Sequence, residues 1–135
     1  MSTDQNKTIV SRFIVEVLDA GRTDTIDQLL APNYRNTGLG GIDLAAFKAT
    51  LAAMKTAIPG RRLELHNLVA EGDQVVARFT YHMTLASGEK VDARGLTYYR
   101  LANGKIVEDD PITSPELSTL LGSAAPTAVA AAVRR

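Results

Sequence analysis

The stretch that most constrains the fold is residues 90–115, KVDARGLTYYRLANGKIVEDDPITSP. Apolar and polar residues alternate with a period of two along its first half, which predicts a strand with one apolar and one more polar face. Asn103-Gly104 follows, and this pair is the strongest short signal for a hairpin because both residues tolerate positive φ. The stretch therefore predicts two long antiparallel strands joined by a tight turn.

Two adjacent carboxylates end the return strand of this hairpin. Asp109 and Asp110 come directly before Pro111, which cannot donate a hydrogen bond to a strand ladder. A carboxylate at the end of a buried hairpin is costly unless the protein uses it. Perturbed carboxylates cluster at functional sites, although solvated charges at a fraying strand end are the plain alternative. We take the two aspartates as candidate catalytic residues.

Composition narrows the class of protein. A chain of 135 residues suits one domain with a hydrophobic core. Fifteen basic and fifteen acidic residues cancel, so no nucleic acid or membrane is expected as a partner. There is no cysteine, and two histidines without ligand spacing argue against a metal site. The polar start MSTDQNK and the lack of a long apolar run predict a cytoplasmic protein.

Helices are predicted before the sheet. Apolar residues at helical spacing predict a first helix over residues 4–20, and a short second helix closes at Pro32. Residues 33–41 read as a loop. Asp43 can cap a third helix, whose apolar stripe runs to Pro59. Strands over residues 61–70 and 74–86 then lead into the hairpin, which makes an α+β pattern with an antiparallel meander.

The chain reads as a single domain over residues 1–122. Residues 115–121 are expected to form a last helical turn. From residue 123 to residue 135 the sequence is of low complexity, SAAPTAVAAAVRR after Gly122, and predicts a flexible C-terminal tail.

Several motifs resemble the SnoaL-like polyketide cyclases of the nuclear-transport-factor-2-like superfamily. They are GRTDTID with APNY in residues 21–34, LVAEGD in 68–73, GLTYYR in 95–100 and NGKIVE in 103–108. The resemblance runs from Asn6 to Gly122. It implies a cone-like curved antiparallel sheet wrapped around three N-terminal helices, with a deep apolar cavity and no cofactor. The reaction is less specified, because this superfamily includes isomerases, cyclases, epoxide hydrolases and binding domains.

The resemblance also assigns roles to residues. The cyclases use one aspartate near the end of the last strand as general acid and base for an intramolecular aldol closure, and an asparagine after the second helix positions the substrate. Asn36 matches that asparagine. Counted without gaps, the acid falls on Pro111, whereas a one-residue gap places Asp110 there. The family's histidine on the neighbouring strand is replaced by Thr97.

Hairpin geometry bears on which aspartate faces the cavity. A two-residue Asn-Gly loop would place Asp110 opposite Thr97. A three-residue loop with a glycine bulge would place Asp109 there instead. Adjacent strand residues point to opposite faces, so one of the two carboxylates points into the cavity and the other points away. We expect Asp110 to be the inward one.

A second resemblance, to limonene-epoxide hydrolases, gives an alternative reaction. Their Asp-Arg-Asp arrangement is accompanied by a tyrosine and an asparagine that hold a water. Tyr34 and Asn36 match that spacing, and Arg78 matches the arginine, but Thr80 stands where the first aspartate belongs. The alternatives to a cyclase or isomerase are therefore epoxide opening and a ligand-binding domain without chemistry, in which Tyr34 and Asn36 are ordinary loop residues.

The strand over residues 74–86 can be interpreted in two ways. Its alternation alone turns Arg78, Thr80 and His82 toward water. The resemblance implies the reverse, so that these three residues bind substrate in the cavity together with Tyr34 and Thr97. Phe79, Tyr81 and Met83 would then form an apolar row on the outer face, which predicts a homodimer through the sheet. The expected partner in the cavity is an apolar, carbonyl-bearing small molecule.

Overall fold

The structure, a computed structural model, describes residues 2–116. It begins with α1 (Thr3–Arg12), which continues without a break as a π-helical segment (Phe13–Asp19). A capping box starts α1, because the hydroxyl of Ser2 accepts a hydrogen bond from the backbone N–H of Gln5 and the side chain of Gln5 accepts one from Ser2. The predicted first helix is therefore confirmed, although its second half is more loosely wound than expected.

The next part of the chain differs from the sequence-based expectation. The second helix, α2 (Ile26–Leu29), ends before Pro32, where it was predicted to close. Strand β1 (Leu30–Asn36) follows at once and includes residues 33–36, which were expected to form a loop. It pairs in parallel with the last strand, and antiparallel with the short β2 (Ile42–Asp43). Its pairing is interrupted between Leu30 and Arg35, the region that contains Pro32.

The remaining elements follow the predicted order. They are α3 (Leu44–Ala57), β3 (Arg62–Glu71), β4 (Gln74–Thr84), β5 (Lys90–Ala102) and β6 (Lys105–Ser114). Within residues 2–116 the strands form one curved six-stranded sheet in the order β2-β1-β6-β5-β4-β3. The α+β architecture is confirmed, but the sheet is mixed and not purely antiparallel, because β1 lies parallel to β6.

The core lies between the inner face of the sheet and the helices. Its helical side comes mainly from the first helix and α3, and its sheet side from alternate residues of β4, β5 and β6. The large side chains with almost no exposed surface include Phe13, Ile14, Tyr34, Tyr99 and Ile106.

The register of the final hairpin corrects both sequence alternatives. Asn103-Gly104 forms a two-residue turn with both φ angles positive, as predicted. Arg100 pairs with Glu108 but Leu101 pairs with Ile106, so β6 carries one extra residue at this point. The bulge therefore lies inside β6 and not in the turn. As a result Thr97 lies opposite Pro111, and neither aspartate faces it.

This shift decides the orientation of the two carboxylates. Asp109 pairs with Tyr99 and points into the core, where only 4% of its surface is exposed. Asp110 pairs with Tyr98 on the outer face and is half-buried. The expectation that Asp110 is the inward residue is wrong, because the bulge moves the inner face to the odd-numbered residues from Asp109 onward.

The orientation of β4 is likewise the reverse of what the resemblance implied. The inner face carries Phe79, Tyr81 and Met83, all of which are buried. The outer face carries Arg78, Thr80 and His82. The alternation of apolar and polar residues along the strand predicted this orientation correctly. Phe79, Tyr81 and Met83 therefore do not form an exposed apolar row, and they give no reason to expect a dimer through the sheet.

Of the expected last helical turn, residues 117–121 lie outside the described residues, and so does the whole of the expected tail. Among residues 2–116, no helix is long and apolar enough to cross a membrane.

Candidate active site

A buried carboxyl group is the centre of the site. Asp109 is held by β6, whose neighbours β1 and β5 flank it on both sides. Its Oδ2 atom accepts a hydrogen bond of 2.7 Å from the hydroxyl of Tyr34. Within residues 2–116, Oδ1 has no hydrogen-bond partner. One oxygen of the carboxyl group is therefore anchored and the other is available to a bound molecule.

The parallel pairing of β1 with β6 brings Tyr34 and Asn36 to this carboxyl group. Asn36 lies beside Asp109 in the register. The Nδ2 atom of Asn36 donates a hydrogen bond of 3.1 Å to the hydroxyl oxygen of Tyr34, and its Oδ1 atom accepts one of 3.0 Å from the backbone N–H of Leu39. Since the Tyr34 oxygen accepts from Asn36, its own proton is free to be donated to Asp109.

Burial sets the protonation of this group. Burial raises the pKa of Asp109 from 3.8 to about 7. The hydrogen bond from Tyr34 lowers this pKa, and the negative charge of Asp110 raises it further. Burial, the nearby Asp109 charge and the Asp109 hydrogen bond raise the pKa of Tyr34 well above 10, so Tyr34 stays a neutral donor. The carboxyl group can thus be protonated or ionised near neutral pH, which suits acid and base chemistry.

An apolar cavity of about 50 Å³ opens in front of the carboxyl group. Its walls come from the helices, from the segment after β1 and from the inner face of the sheet. The residues that line it are Leu18, Asn36, Leu39, Phe47, Thr50, Leu51, Met54, Phe79, Tyr81, Thr97, Tyr99, Asp109 and Pro111. Asp109 is the one acidic side chain among them, and none of them is basic.

Pro111 occupies the position where an ungapped comparison with the cyclases placed the acid. It lines the cavity on the same face as Asp109, but it carries no proton. Gly38 packs directly against it, and a side chain at Gly38 would collide with the Pro111 ring and carbonyl. The glycine therefore lets the short 3₁₀ turn (Thr37–Leu39) close over the end of β6.

The structure brings together four of the residues proposed from the sequence. Asn36, Thr97 and Asp109 line the cavity, while Tyr34 is wholly buried behind the carboxyl group and contacts it rather than the cavity. Tyr34 also packs its ring 5.1 Å from that of Phe47. Its place beside the carboxyl group indicates a positioning role.

The other four proposed residues lie outside the cavity. Asp110 faces outward, and Arg78 donates a hydrogen bond of 2.8 Å to Asn67 on the outer face. Thr80 pairs with His66, and His82 lies between Glu64 and Asp92. These hydrogen bonds lie on the far side of the sheet from the cavity.

Sequence reasoning missed Thr50, Tyr81 and Tyr99 as lining residues. The alternation of the strands would have placed both tyrosines on the inner face. Tyr81 is an even number of positions from Val75 on β4, Tyr99 is an even number from Ala93 on β5, and both reference residues are fully buried. Thr50 gave no signal, because a threonine in an alanine-rich helix is equally common on the surface.

A second concavity lies on the outer face of the sheet. It is an open groove of about 370 Å³ whose walls include Arg78, Leu96 and Ile112. It has no carboxyl group, and Asp109 lies on the opposite side of the sheet. Among residues 2–116, no cluster of three or more His, Cys, Asp or Glu side chains could hold a metal ion. The inner cavity is therefore the better candidate for an active site.

Comparison with known proteins agrees with this architecture. The chain superposes with a SnoaL-like polyketide cyclase from Jannaschia sp. CCS1 at a TM-score of 0.76 and 23% identity, over 96% of this chain and 94% of that one. IdmH of Streptomyces antibioticus, assigned as a polyketide cyclase, gives 0.74 at 20% identity, over 87% and 99%. AclR of Streptomyces galilaeus, assigned as a hydroxylase, gives 0.75 at 20% identity, over 90% and 85%.

These structural likenesses establish the fold. No curated protein matches the sequence significantly. The model of the SnoaL-like domain matches residues 10–109, a span that contains the second half of the first helix, the whole of β1 and the buried carboxyl group. The chain therefore belongs to the SnoaL-like domain family.

Proposed function

We propose that this protein is a cofactor-independent enzyme of the cyclase or isomerase type, in which Asp109 moves a proton on a carbonyl substrate. The observation that carries the proposal is the buried carboxyl group in an apolar cavity, with a pKa of about 7 and one free oxygen. A general base works best when its pKa lies near the working pH.

The proposed reaction uses only proton transfer and carbon chemistry. The ionised Asp109 takes a proton from the carbon next to a substrate carbonyl, and the electrons of that C–H bond form an enolate. In an isomerase the carboxyl group returns the proton to another carbon. In a cyclase the enolate carbon attacks a second carbonyl of the same molecule, and the new alkoxide takes the proton back. Asp109 is regenerated in both cases.

The cavity also points to a class of substrate. A volume of about 50 Å³ holds roughly four waters at about 10–15 Å³ each, which is well below the several hundred Å³ of a typical drug-sized site. No basic side chain lines it to pair with a carboxylate or a phosphate. The reacting part of the substrate is therefore expected to be small, neutral and apolar.

Epoxide opening is the weaker alternative. It would need the arginine of the Asp-Arg-Asp arrangement beside the carboxyl group in the cavity. Arg78 instead lies on the outer face and donates a hydrogen bond to Asn67. A cytoplasmic location and a homodimer remain predictions that accompany the proposal.

Exchange of α-protons tests the proposed function without knowledge of the natural substrate. Small ketones, beginning with 2-butanone, are incubated in D₂O with the protein, and loss of the α-proton signals is followed by NMR. We expect wild-type protein to accelerate exchange and Asp109→Asn to abolish the acceleration. Absence of acceleration by wild type across linear and cyclic ketones would favour a binding domain without chemistry.

A further inference from the structure

Tyr81 places a further polar group in the same cavity as Asp109. It lies in the middle of β4, on the inner face, with 6% of its surface exposed. Its ring packs edge-on against that of Phe79, with centroids 5.4 Å apart and planes at 87°. This contact fixes the ring, so the hydroxyl has a defined position at the cavity wall.

The hydroxyl of Tyr81 has no hydrogen-bond partner in the part of the chain that the structure describes. It is also not among the fully enclosed polar atoms that lack a partner there, so it keeps some accessible surface, and Tyr81 is one of the residues that line the cavity. A buried tyrosine hydroxyl normally finds a partner, because leaving it unpaired costs about 1–3 kcal/mol. An unpaired hydroxyl that opens into a cavity is thus placed to bond a molecule inside it.

The other hydroxyl groups at this cavity are already engaged. Thr50 donates to the backbone carbonyl of Ala46 over 2.9 Å. A hydrogen bond from the side chain of Thr97 lowers the pKa of Tyr99. Among these cavity hydroxyl groups, that of Tyr81 is the one with no hydrogen bond to the described residues.

We propose that Tyr81 is a catalytic residue whose hydroxyl donates a hydrogen bond to the carbonyl oxygen of the substrate while Asp109 takes the proton from the adjacent carbon. The inference rests on the proposed function and adds the group that stabilises the enolate. The C–H electrons move into the new C=C bond, the C=O π electrons move onto oxygen, and the Tyr81 hydrogen bond stabilises that negative charge. Nothing is oxidised or reduced, and the proton resides on Asp109 until it is returned.

Burial suits Tyr81 to this task. It raises the pKa of Tyr81 to about 12, partly offset by the charge of Arg61, so the phenol remains a protonated donor at neutral pH. In a site that excludes water, a fixed donor at a developing oxyanion is commonly worth about 10²–10³ in rate. Because the hydroxyl of Tyr81 donates no hydrogen bond to the described residues, it can donate to a substrate oxygen without first breaking one.

The variant Tyr81→Phe removes the hydroxyl and keeps the ring. Because no protein hydrogen bond is lost, the midpoint of thermal unfolding should be unchanged or slightly raised. The rate of α-proton exchange in 2-butanone should fall about 10²–10³-fold. The matched control is Tyr98→Phe, which removes a hydroxyl from the outer face of the neighbouring strand and should leave the rate unchanged.

A second readout does not depend on turnover. The carbonyl carbon of [2-¹³C]2-butanone moves downfield in the NMR spectrum when its oxygen accepts a hydrogen bond, and titration gives the shift of the bound ketone. We expect a downfield shift with wild-type protein and with Asp109→Asn, and its loss with Tyr81→Phe. This pattern would support Tyr81 as the donor even if Asp109→Asn left exchange unaffected, in which case only the proposed function would fail.

Three outcomes would overturn the inference. The first is a bound carbonyl shift that is the same with wild-type protein and with Tyr81→Phe. The second is a fall in thermal midpoint that accounts for the lost activity, which would mean a packing role. The third is the absence of any saturable shift with wild-type protein at high millimolar ketone, since a cavity with a free donor should bind so small a ketone.

Discussion

The hydroxyl of Tyr34 lies 2.7 Å from Oδ2 of Asp109, although 75 positions separate the two residues in the chain. The parallel pairing of β1 with β6 creates this contact, which a simple antiparallel meander would not. The neutral phenol holds one oxygen of the carboxyl group and leaves the other toward the cavity. The free oxygen is therefore the atom on which the following predictions depend.

The two adjacent aspartates should differ sharply in their effect on the reaction. Asp109→Asn keeps the shape of the side chain and removes the proton carrier, so the rate of α-proton exchange should fall about 10²–10⁴-fold. Asp110→Asn changes a half-buried residue on the outer face and should alter the rate by less than about threefold. Exchange rates of both variants at equal ketone concentration give the comparison. Equal and mild effects would show that neither carboxylate is catalytic.

This contrast shows where sequence reasoning stops. The pair at the end of the hairpin could be found from the sequence, because the alternation of β5 and the Asn-Gly turn are local signals. The choice between the two could not, because it depends on a bulge in β6 beside Arg100 and Leu101. A bulge moves every following side chain to the other face, and the run Ile106-Val107-Glu108 contains neither glycine nor proline to mark it.

The strand β1 was missed for a similar reason. Residues 33–36 have loop-like composition, and their strand conformation comes from pairing with β6, far away in the sequence. The helices were accessible to prediction, since the apolar stripe of α3 depends only on spacing within the helix. Tyr34 and Asn36 become neighbours of Asp109 through the pairing of β1 with β6. This pairing has no signal in the local sequence of either strand.

The raised pKa of Asp109 should appear in two pH profiles. Because the ionised carboxylate is the base, the exchange rate should rise with pH and level off above about 7. Stability should change in the opposite sense. The folded protein holds the proton more tightly than the unfolded chain, whose pKa is near 3.8, so stability is full below that value and is lost as pH rises to about 7.

Urea unfolding at pH 4, 5.5 and 7.5 measures the stability effect. In wild-type protein Asp109 should contribute a decline of up to about 1.4 kcal/mol per pH unit inside this window. Asp109→Asn cannot titrate, and its decline should be shallower by that amount. If wild type and Asp109→Asn show the same dependence on pH, the carboxyl group is ionised at all these pH values and its burial has been compensated.

The hydrogen bond from Tyr34 should tune this pKa. The bond lowers the pKa of Asp109, so Tyr34→Phe should raise it and move the midpoint of the rate profile to higher pH. At pH 7 the rate should fall several-fold, and at pH 9 it should recover most of the difference. A uniform loss of activity at every pH would instead indicate that the carboxyl group has been displaced. Tyr98→Phe serves as the control with an unchanged profile.

The outer face of the sheet should form the contact between two copies of the chain. Leu96 and Ile112 are directly paired neighbours on β5 and β6, and they are 51% and 71% exposed. Val76 on β4 is also exposed on this face. A contiguous exposed apolar patch is a recognised mark of a protein interaction site.

These residues replace Phe79, Tyr81 and Met83, which the structure places in the core, as the reason to expect a homodimer. Light scattering at micromolar concentration should give twice the mass of the chain, and Ile112→Lys should convert it to the monomer. Val15→Lys is the matched control, since Val15 is 49% exposed on the helical side, which is opposite to this face. A wild-type monomer would leave the groove beside Ile112 as an open surface. A dimer that survives Ile112→Lys but not Val15→Lys would place the contact on the helices instead.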